Sequence, residues 1–254
     1  MQYGTMYRNL FKAGTEMPLM ELKAGVRQKM RDNAPNIFFV SIVFIIIGTV
    51  ISELQFRVPD TVNAINLYLE NLAAGKLQNI GAIYSYFRPS GVPLAIILWL
   101  LYSVIDAGYM SYCLKISRGL KSEYKDIFNG FLFMGKVLLI KIVTTILTVL
   151  WTFLFFFPGI AAFYRYRQSF YILIDDPQKG ALQCIRESKR LMRGKKLDLF
   201  LLDLSFIGWW ALDTLVVYLI PLPFSLPIVS IYLTPYHGLT CAAYYDRLIN
   251  QFIV

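Results

Sequence analysis

Charge is scarce in this chain. Only 16% of its 254 residues are Asp, Glu, Lys or Arg, where soluble domains carry about one quarter. With 57% of residues hydrophobic, the deficit argues against a water-soluble domain and points to a membrane. Histidine is scarcer still: the single His237 leaves little for acid–base or metal chemistry. The three cysteines, Cys113, Cys184 and Cys241, lie far apart without C-x-x-C spacing. Neither a disulfide framework nor a zinc site is expected from them, and they read as small buried residues. No H-E-x-x-H, G-x-S-x-G or phosphate-binding glycine loop occurs, so the expectation is a non-enzymatic protein with no cofactor. The short-period alternation of a membrane β-barrel is missing as well. So is a secretory signal: the mostly polar residues 1–35 precede the first apolar run, which is expected to stay in the mature protein.

What the chain has instead is long apolar runs. A helix crossing a bilayer needs about 20 apolar residues. "NIFFVSIVFIIIGTVISEL" (36–54), "PLAIILWLLYSVIDAGYMSYC" (93–113) and "KVLLIKIVTTILTVLWTFLFFF" (136–157) satisfy this. So do "DLFLLDLSFIGWWALDTLVVYLI" (198–220) and "PIVSIYLTPYHGLTCAAYYD" (227–246).

Positive charge sets the orientation. Lys and Arg concentrate in residues 1–35, 114–136 and 176–197, with Arg247 beyond the last run, whereas 55–91 holds only Arg57, Lys76 and Arg88. By the positive-inside rule the rich segments are cytoplasmic. Segments 114–136 and 176–197 share a side only if one more crossing lies between 157 and 176. A fourth span over about 159–175, broken from the third at Pro158-Gly159, supplies it. The expected fold is an all-α membrane protein: six transmembrane helices as three hairpins, each preceded by a cytoplasmic amphipathic helix, with both termini cytoplasmic. The chain reads as one integral membrane domain over 1–254, with 1–35 a cytoplasmic segment and 55–91 an extracellular one.

That fourth span contains Arg165 and Arg167. A charge at the bilayer centre costs about 2.5–3.5 kcal/mol on insertion scales, so such residues face a protein interior or water and mark a site by default. Counting about 1.5 Å per residue along each helix places Arg165 at the depth of Asp213. Asp106 falls at the depth of Lys141, and Asp203 is left for Arg167 or Lys136. Two residues apart on a helix, the two arginines point to nearly opposite sides. The candidate intramembrane polar site is therefore Arg165, Arg167, Asp213, Asp203, Asp106, Lys141 and His237. Ion pairs that merely hold the bundle together would use the same residues. "TPYHG" (234–238) interrupts the last run, where Pro235 removes a backbone donor and frees a carbonyl beside His237.

Each basic segment carries an apolar stripe at helical spacing. The first is Leu19, Leu22, Val26 and Met30. The second is Leu120, Tyr124, Ile127, Phe128 and Phe131, and the third is Ala181, Cys184, Ile185, Ser188 and Met192, the last lying over the 176–197 segment. Helices along the inner membrane surface are expected. Similar stretches then precede a span, "MRDNAPNIFF", "MGKVLLIK" and "MRGKKLDLF", which suggests a threefold repeat. In "DDPQKG" (175–180), Asp176 followed by Pro177 reads as a helix cap, not a metal site. Val62, Ile65, Leu69 and Leu72 make a further stripe, expected as an interfacial helix on the outer face.

"PGIAAFYRYRQSFYILIDDP", "ALQCIRESKRLMRGKKLDLFLLDLSFIGWWALD" and "LTPYHGLTCAAYYDRL" resemble the bacterial integral membrane family catalogued as domain of unknown function 975. The family features fall on Pro158-Gly159-Ile160, Ser188, Leu191-Met192, Gly194-Lys195, Leu204 to Trp209, and Pro235-Tyr236. A more distant resemblance is to the membrane domain of some glycerophosphodiester phosphodiesterases. The resemblance implies a six-span protein of the bacterial cytoplasmic membrane with no established activity; Arg165 and Arg167 are not part of its pattern. The functional expectation is a module that binds or moves a lipid, amphiphile or small anion through a polar intramembrane cavity. An accessory or scaffold subunit of an exporter, envelope or peptide-resistance system is the alternative. Expected partners are membrane lipids, with anionic headgroups at the cytoplasmic face, and another membrane protein. Nucleic acid is not expected, because topology already explains the basic residues.

Overall fold

A computed structural model describes residues 19–57, 69–75, 92–219 and 228–252. Helices follow one another in the order α1 (Leu19–Asp32), α2 (Asn36–Arg57), α3 (Val92–Ser117), a 3-10 helix (Tyr124–Phe133), α4 (Met134–Leu154), α5 (Phe156–Tyr166), α6 (Ser169–Asp175), α7 (Ala181–Leu191), α8 (Lys196–Leu219) and α9 (Ile228–Phe252). Among the described residues there is no strand. The expected outer-face stripe lies largely outside the described residues; of it, Leu69 and Leu72 sit on a short helical turn with exposed side chains.

Four stretches are long and apolar enough to cross a membrane: Asn36–Gln55, Pro93–Ser117, Tyr124–Leu154 and Lys196–Val216. Their outward side chains are those lipid would solvate, among them Ile97 on α3, Leu150 on α4, and Ile207, Trp209 and Leu215 on α8. α9 is as long as these but less apolar, and its position explains why. It packs against α1, α2, α3, α7 and α8, and Leu233, Tyr236, Leu239, Ala242, Tyr244, Tyr245 and Leu248 are buried on successive turns. A helix covered by protein along most of its length, with Ile231 and Tyr232 left exposed near its start, needs little lipid-facing surface, so it can carry threonines, tyrosines and a histidine. The helix runs on through Pro235.

The break after α4 is not where the sequence suggested. Phe155 is the extended residue, with φ −159° and ψ 144°. Pro158 falls inside the first turn of α5, where its missing N–H is no loss. Gly159 serves a close approach instead: a Cβ there would lie 2.1 Å from Thr152 Oγ1 and 2.7 Å from Thr152 Cα. The expected single span over 159–175 is two helices, interrupted at Arg167 and Gln168.

Of the three expected surface helices, α1 and α7 bury their stripes as expected, with Leu22, Val26 and Met30 inside on α1 and Ala181, Cys184, Ile185 and Ser188 inside on α7. Between them the chain forms a 3-10 helix whose buried residues are Asp126, Ile127 and Gly130. Tyr124, Phe128 and Phe131, which the sequence puts on one apolar stripe with Ile127, are exposed, while Ile127 and Gly130, one 3-10 turn apart, are buried. Gly119, at φ +67°, ends α3 in the left-handed conformation typical of a residue just past a helix. Asp176 does not cap α7. Its Oδ1 accepts from Gln178 N–H at 3.2 Å, forming a local turn, and Gly180 precedes the helix.

Candidate functional site

The interruption between α5 and α6 places two arginines on different neighbours. Arg165 turns to α4, where its guanidinium lies 5.9 Å from the Trp151 ring centre, and its carbonyl accepts from Ser188 Oγ at 2.8 Å. Arg167 turns to α8 and α9. Its Nη1 donates to Asp203 Oδ2 and its Nη2 to Cys241 Sγ at 3.3 Å. The opposite directions follow from their two-residue spacing, as expected.

Around Arg167 a polar centre assembles. Tyr164 OH donates to Asp203 Oδ2 at 3.0 Å, while Asp203 Oδ1 lies 3.3 Å from His237 Nε2. His237 Nε2 in turn lies 3.6 Å from Cys241 Sγ. The α5 end supplies Tyr164 and Arg167, α8 supplies Asp203, and α9 supplies His237 and Cys241. On α8 Leu199, Leu202 and Phe206 are buried, and Asp203, on the same side, is half-buried. On α9, His237 and Cys241 are four apart and so stack on one side. The Phe206 ring closes the centre, edge-on to His237 at 5.1 Å.

Asp106 lies within electrostatic reach of Arg167, His237 and Lys141. The structure gives it no ion pair with Lys141, whose ammonium sits 5.0 Å from the Trp99 ring centre. Asp213 is not Arg165's partner: it accepts from Val229 N–H at 3.0 Å, Ser230 N–H at 3.2 Å and Ser230 Oγ at 2.6 Å. It thus satisfies donors in the first turn of α9. Of the seven sequence-nominated residues, Arg167, Asp203 and His237 meet directly, Asp106 and Lys141 lie nearby, and Arg165 and Asp213 go elsewhere.

Two features escaped the sequence reading. Cys241 was read as filler, although His237-x-x-x-Cys241 at one-turn spacing was a visible signal. The other is a clamp at one end of the bundle. Arg118, just past α3, donates from Nη1 to Asp175 Oδ1 at 2.5 Å and from Nη2 to Asp175 Oδ2 at 3.0 Å. Its Nε donates to Asp246 Oδ1 at 2.9 Å. Tyr245 OH reaches Asp175 Oδ2 at 2.8 Å and Ser117 Oγ reaches Asp246 Oδ2 at 2.9 Å. Burial works against the charged guanidinium, but the Asp175 and Asp246 carboxylates overcome it and hold the Arg118 pKa above its ordinary value.

α1 reaches the same region from outside. Lys23 Nζ donates to Ser205 Oγ and lies 4.1 Å from the Phe206 ring centre. Arg27 Nη1 donates to Tyr236 OH at 3.3 Å. Burial, aided by nearby Arg27, lowers the Lys23 pKa.

Comparison with known proteins places this centre in one matched segment. Residues 156–251 match the family model described as protein of unknown function DUF975. No curated protein and no solved structure matches the chain, and the likeness to the phosphodiesterase membrane domain is not shown. Tyr164, Arg167, Asp203, His237 and Cys241 all lie inside the matched segment.

Proposed function

We propose, for a chain whose residues 156–251 carry a family assignment of unknown function, a non-enzymatic protein of six membrane crossings that binds an anionic lipid or amphiphile. α5 and α6 together make the fourth crossing and α9 the sixth, beside the four apolar stretches. Contacts between distant basic segments support this topology. Arg118 meets Asp175 and Asp246, Lys136 donates to the Pro177 carbonyl at 2.5 Å, and Tyr244 OH donates to the Lys195 carbonyl at 3.1 Å. Those segments gather at one end of the bundle, which the positive-inside rule makes cytoplasmic. Localisation in the bacterial cytoplasmic membrane follows from this reading and the resemblance of the motifs.

The observation that carries the ligand class is the placement of Lys23 and Arg27. Ser205 lies nine residues into α8, roughly 13 Å from its start. Lys23 therefore rests against the flank of a spanning helix and Arg27 against Tyr236 of α9; Leu201, one turn before Ser205 on α8, is exposed, where an acyl chain would lie. Cations at that position attract an anionic headgroup with about 1 kcal/mol per charge. One aromatic layer, Phe206 and Tyr236, stands between them and the polar centre. Native mass spectrometry from mild detergent tests this: wild-type protein should retain an anionic lipid or amphiphile that the Lys23→Gln/Arg27→Gln variant loses at least severalfold. Equal retention by both would overturn the reading.

An accessory role has its own support in α8. Trp209, Trp210, Leu212 and Leu215 form an exposed apolar surface on which a partner helix could pack in place of lipid. Stoichiometric co-purification of one membrane protein, abolished by Trp210→Ala, would favour it.

A further inference from the structure

The three side chains Asp203, His237 and Cys241 present one carboxylate oxygen, one imidazole nitrogen and one sulfur, all within 4.8 Å of one another. The spacing has a chemical meaning. A tetrahedral zinc ion with bonds of about 2.0–2.1 Å to N and O and about 2.3 Å to S holds adjacent donors roughly 3.3–3.6 Å apart. His237 Nε2 stands 3.3 Å from Asp203 Oδ1 and 3.6 Å from Cys241 Sγ. We propose that Asp203, His237 and Cys241 form a metal site for a divalent first-row transition ion of the zinc type, with the fourth position open to water or a ligand.

The donor set selects the class. Calcium and magnesium prefer all-oxygen shells, whereas imidazole with thiolate suits zinc or cobalt(II). Binding breaks the Cys241 S–H bond, forms the metal–sulfur bond, and passes the proton to solvent water.

The surrounding groups fit ligands held from behind. Asp203 offers Oδ1 to the centre, while its Oδ2 is taken by Arg167 Nη1 and Tyr164 OH. Partners of this kind fix a ligating carboxylate. Arg167 Nη2 on Cys241 Sγ favours the thiolate electrostatically. The guanidinium also repels the ion. Asp203 and Cys241 as thiolate offset both charges. Phe206 and Trp210, edge-on to the imidazole at 5.1 and 6.3 Å, shield the centre. The inference is independent of the lipid reading, which rests on Lys23 and Arg27.

The test uses the full chain in mild detergent, stripped with chelator and titrated with Co2+. One equivalent should bind, with the visible bands of tetrahedral cobalt and a near-ultraviolet sulfur-to-cobalt band, both displaced by Zn2+. Cys241→Ser should lose the sulfur band and bind at least tenfold more weakly, whereas Cys113→Ser should keep both. Arg167→Lys, a change to a positioning residue, should weaken binding by about tenfold. In wild-type protein, prolonged incubation with a small membrane-permeant alkylating reagent should modify buried Cys241 slowly, and Zn2+ should slow it further, read by mass spectrometry; this needs no variant to fold. A wild-type titration without a sulfur band, a band that survives Cys241→Ser, or no protection of Cys241 would overturn the assignment.

Discussion

Gly108 of α3 and Gly130 of the 3-10 helix let two backbones touch. A Cβ on Gly108 would stand 1.8 Å from the Ile127 carbonyl oxygen, and one on Gly130 would stand 1.9 Å from that of Val104. No side-chain movement relieves a clash with main chain. Gly108→Ala and Gly130→Ala should each destabilise the protein by about 1–3 kcal/mol or more. Gly135→Ala, with no neighbour within 4 Å of the added Cβ, should be tolerated. Thermal unfolding in detergent, followed by aggregation or circular dichroism, checks the contrast; equal midpoints for all three would refute it.

The Arg118 clamp ties the ends of α3, α6 and α9. Arg118→Gln leaves Asp175 and Asp246 without their shared cation in a partly buried place, and should cost about 1–3 kcal/mol. Asp175→Asn and Asp246→Asn should be non-additive with it, because all three act through one network. A double-mutant cycle on detergent melting midpoints measures this, and additive losses would show that the contacts are not coupled.

Asp213 satisfies the first turn of α9. Asp213→Ala should lower stability by about 0.5–2 kcal/mol, the usual range for a lost helix cap, and Asp213→Asn should lose less. Hydrogen exchange at Val229 and Ser230, read by mass spectrometry, should rise in the alanine variant while exchange in α3 stays as it was.

Lys179 donates to Glu187 Oε2 at 2.7 Å, and this pair gives stability a pH dependence at α7. Burial alone would raise the Glu187 pKa, but hydrogen bonds from Lys179 and Gln183 outweigh it and lower the value. The Lys179 pKa is raised, chiefly by its hydrogen bond to Glu187. Stability from Glu187 is therefore present above the unfolded carboxylate pKa and lost as pH falls through the lower folded value. Stability from Lys179 is complete below the ordinary lysine value and lost as pH rises through the raised one. A partly exposed pair contributes under about 1 kcal/mol. Exchange protection of α7 should be flat near neutrality and fall at both extremes, and Lys179→Met should flatten the acid limb.

The topology makes its own prediction. Cysteines introduced at positions 120 and 190, both exposed, should react with an impermeant thiol reagent from the cytoplasmic side only. A cysteine at exposed position 72 should react from the other. The native cysteines are buried, which keeps the background low. Labelling of 120 and 190 from opposite sides would remove the fourth crossing and with it the six-span reading.

The helices and the burial of the α1 and α7 stripes were legible because hydrophobic period is a local signal. The 3-10 helix was not: an α-periodic stripe and a three-residue period share Tyr124 and Ile127, and only the glycine contact with α3 decides between them. Opposed directions for Arg165 and Arg167 could be read from spacing alone. Their partners could not. Depth along a helix ignores which face a residue occupies, so Asp213 was matched to an arginine when its short side chain serves the backbone of the next helix. Cys241 gives no signal in cysteine-to-cysteine spacing, because the proposed donors come from two helices. The break at Phe155 instead of Pro158-Gly159 has the same origin, since a proline in a first turn and a proline at a stop look alike in sequence.

α9 lies among helices that all precede it along the chain. During translation α2, α3 and α8 must leave the ribosome before the element that covers their inward faces exists. Tyr109 and Cys113, which pack on Gly238 of α9, and Phe206, which packs on Tyr236 and His237, would meet lipid or a chaperone until α9 inserts. Any quality-control protease that reads unsatisfied intramembrane polar groups would then see Asp203 Oδ1 and Arg167 Nη2, whose partners His237 and Cys241 stand on α9, and would lose sight of them once that helix slides into place.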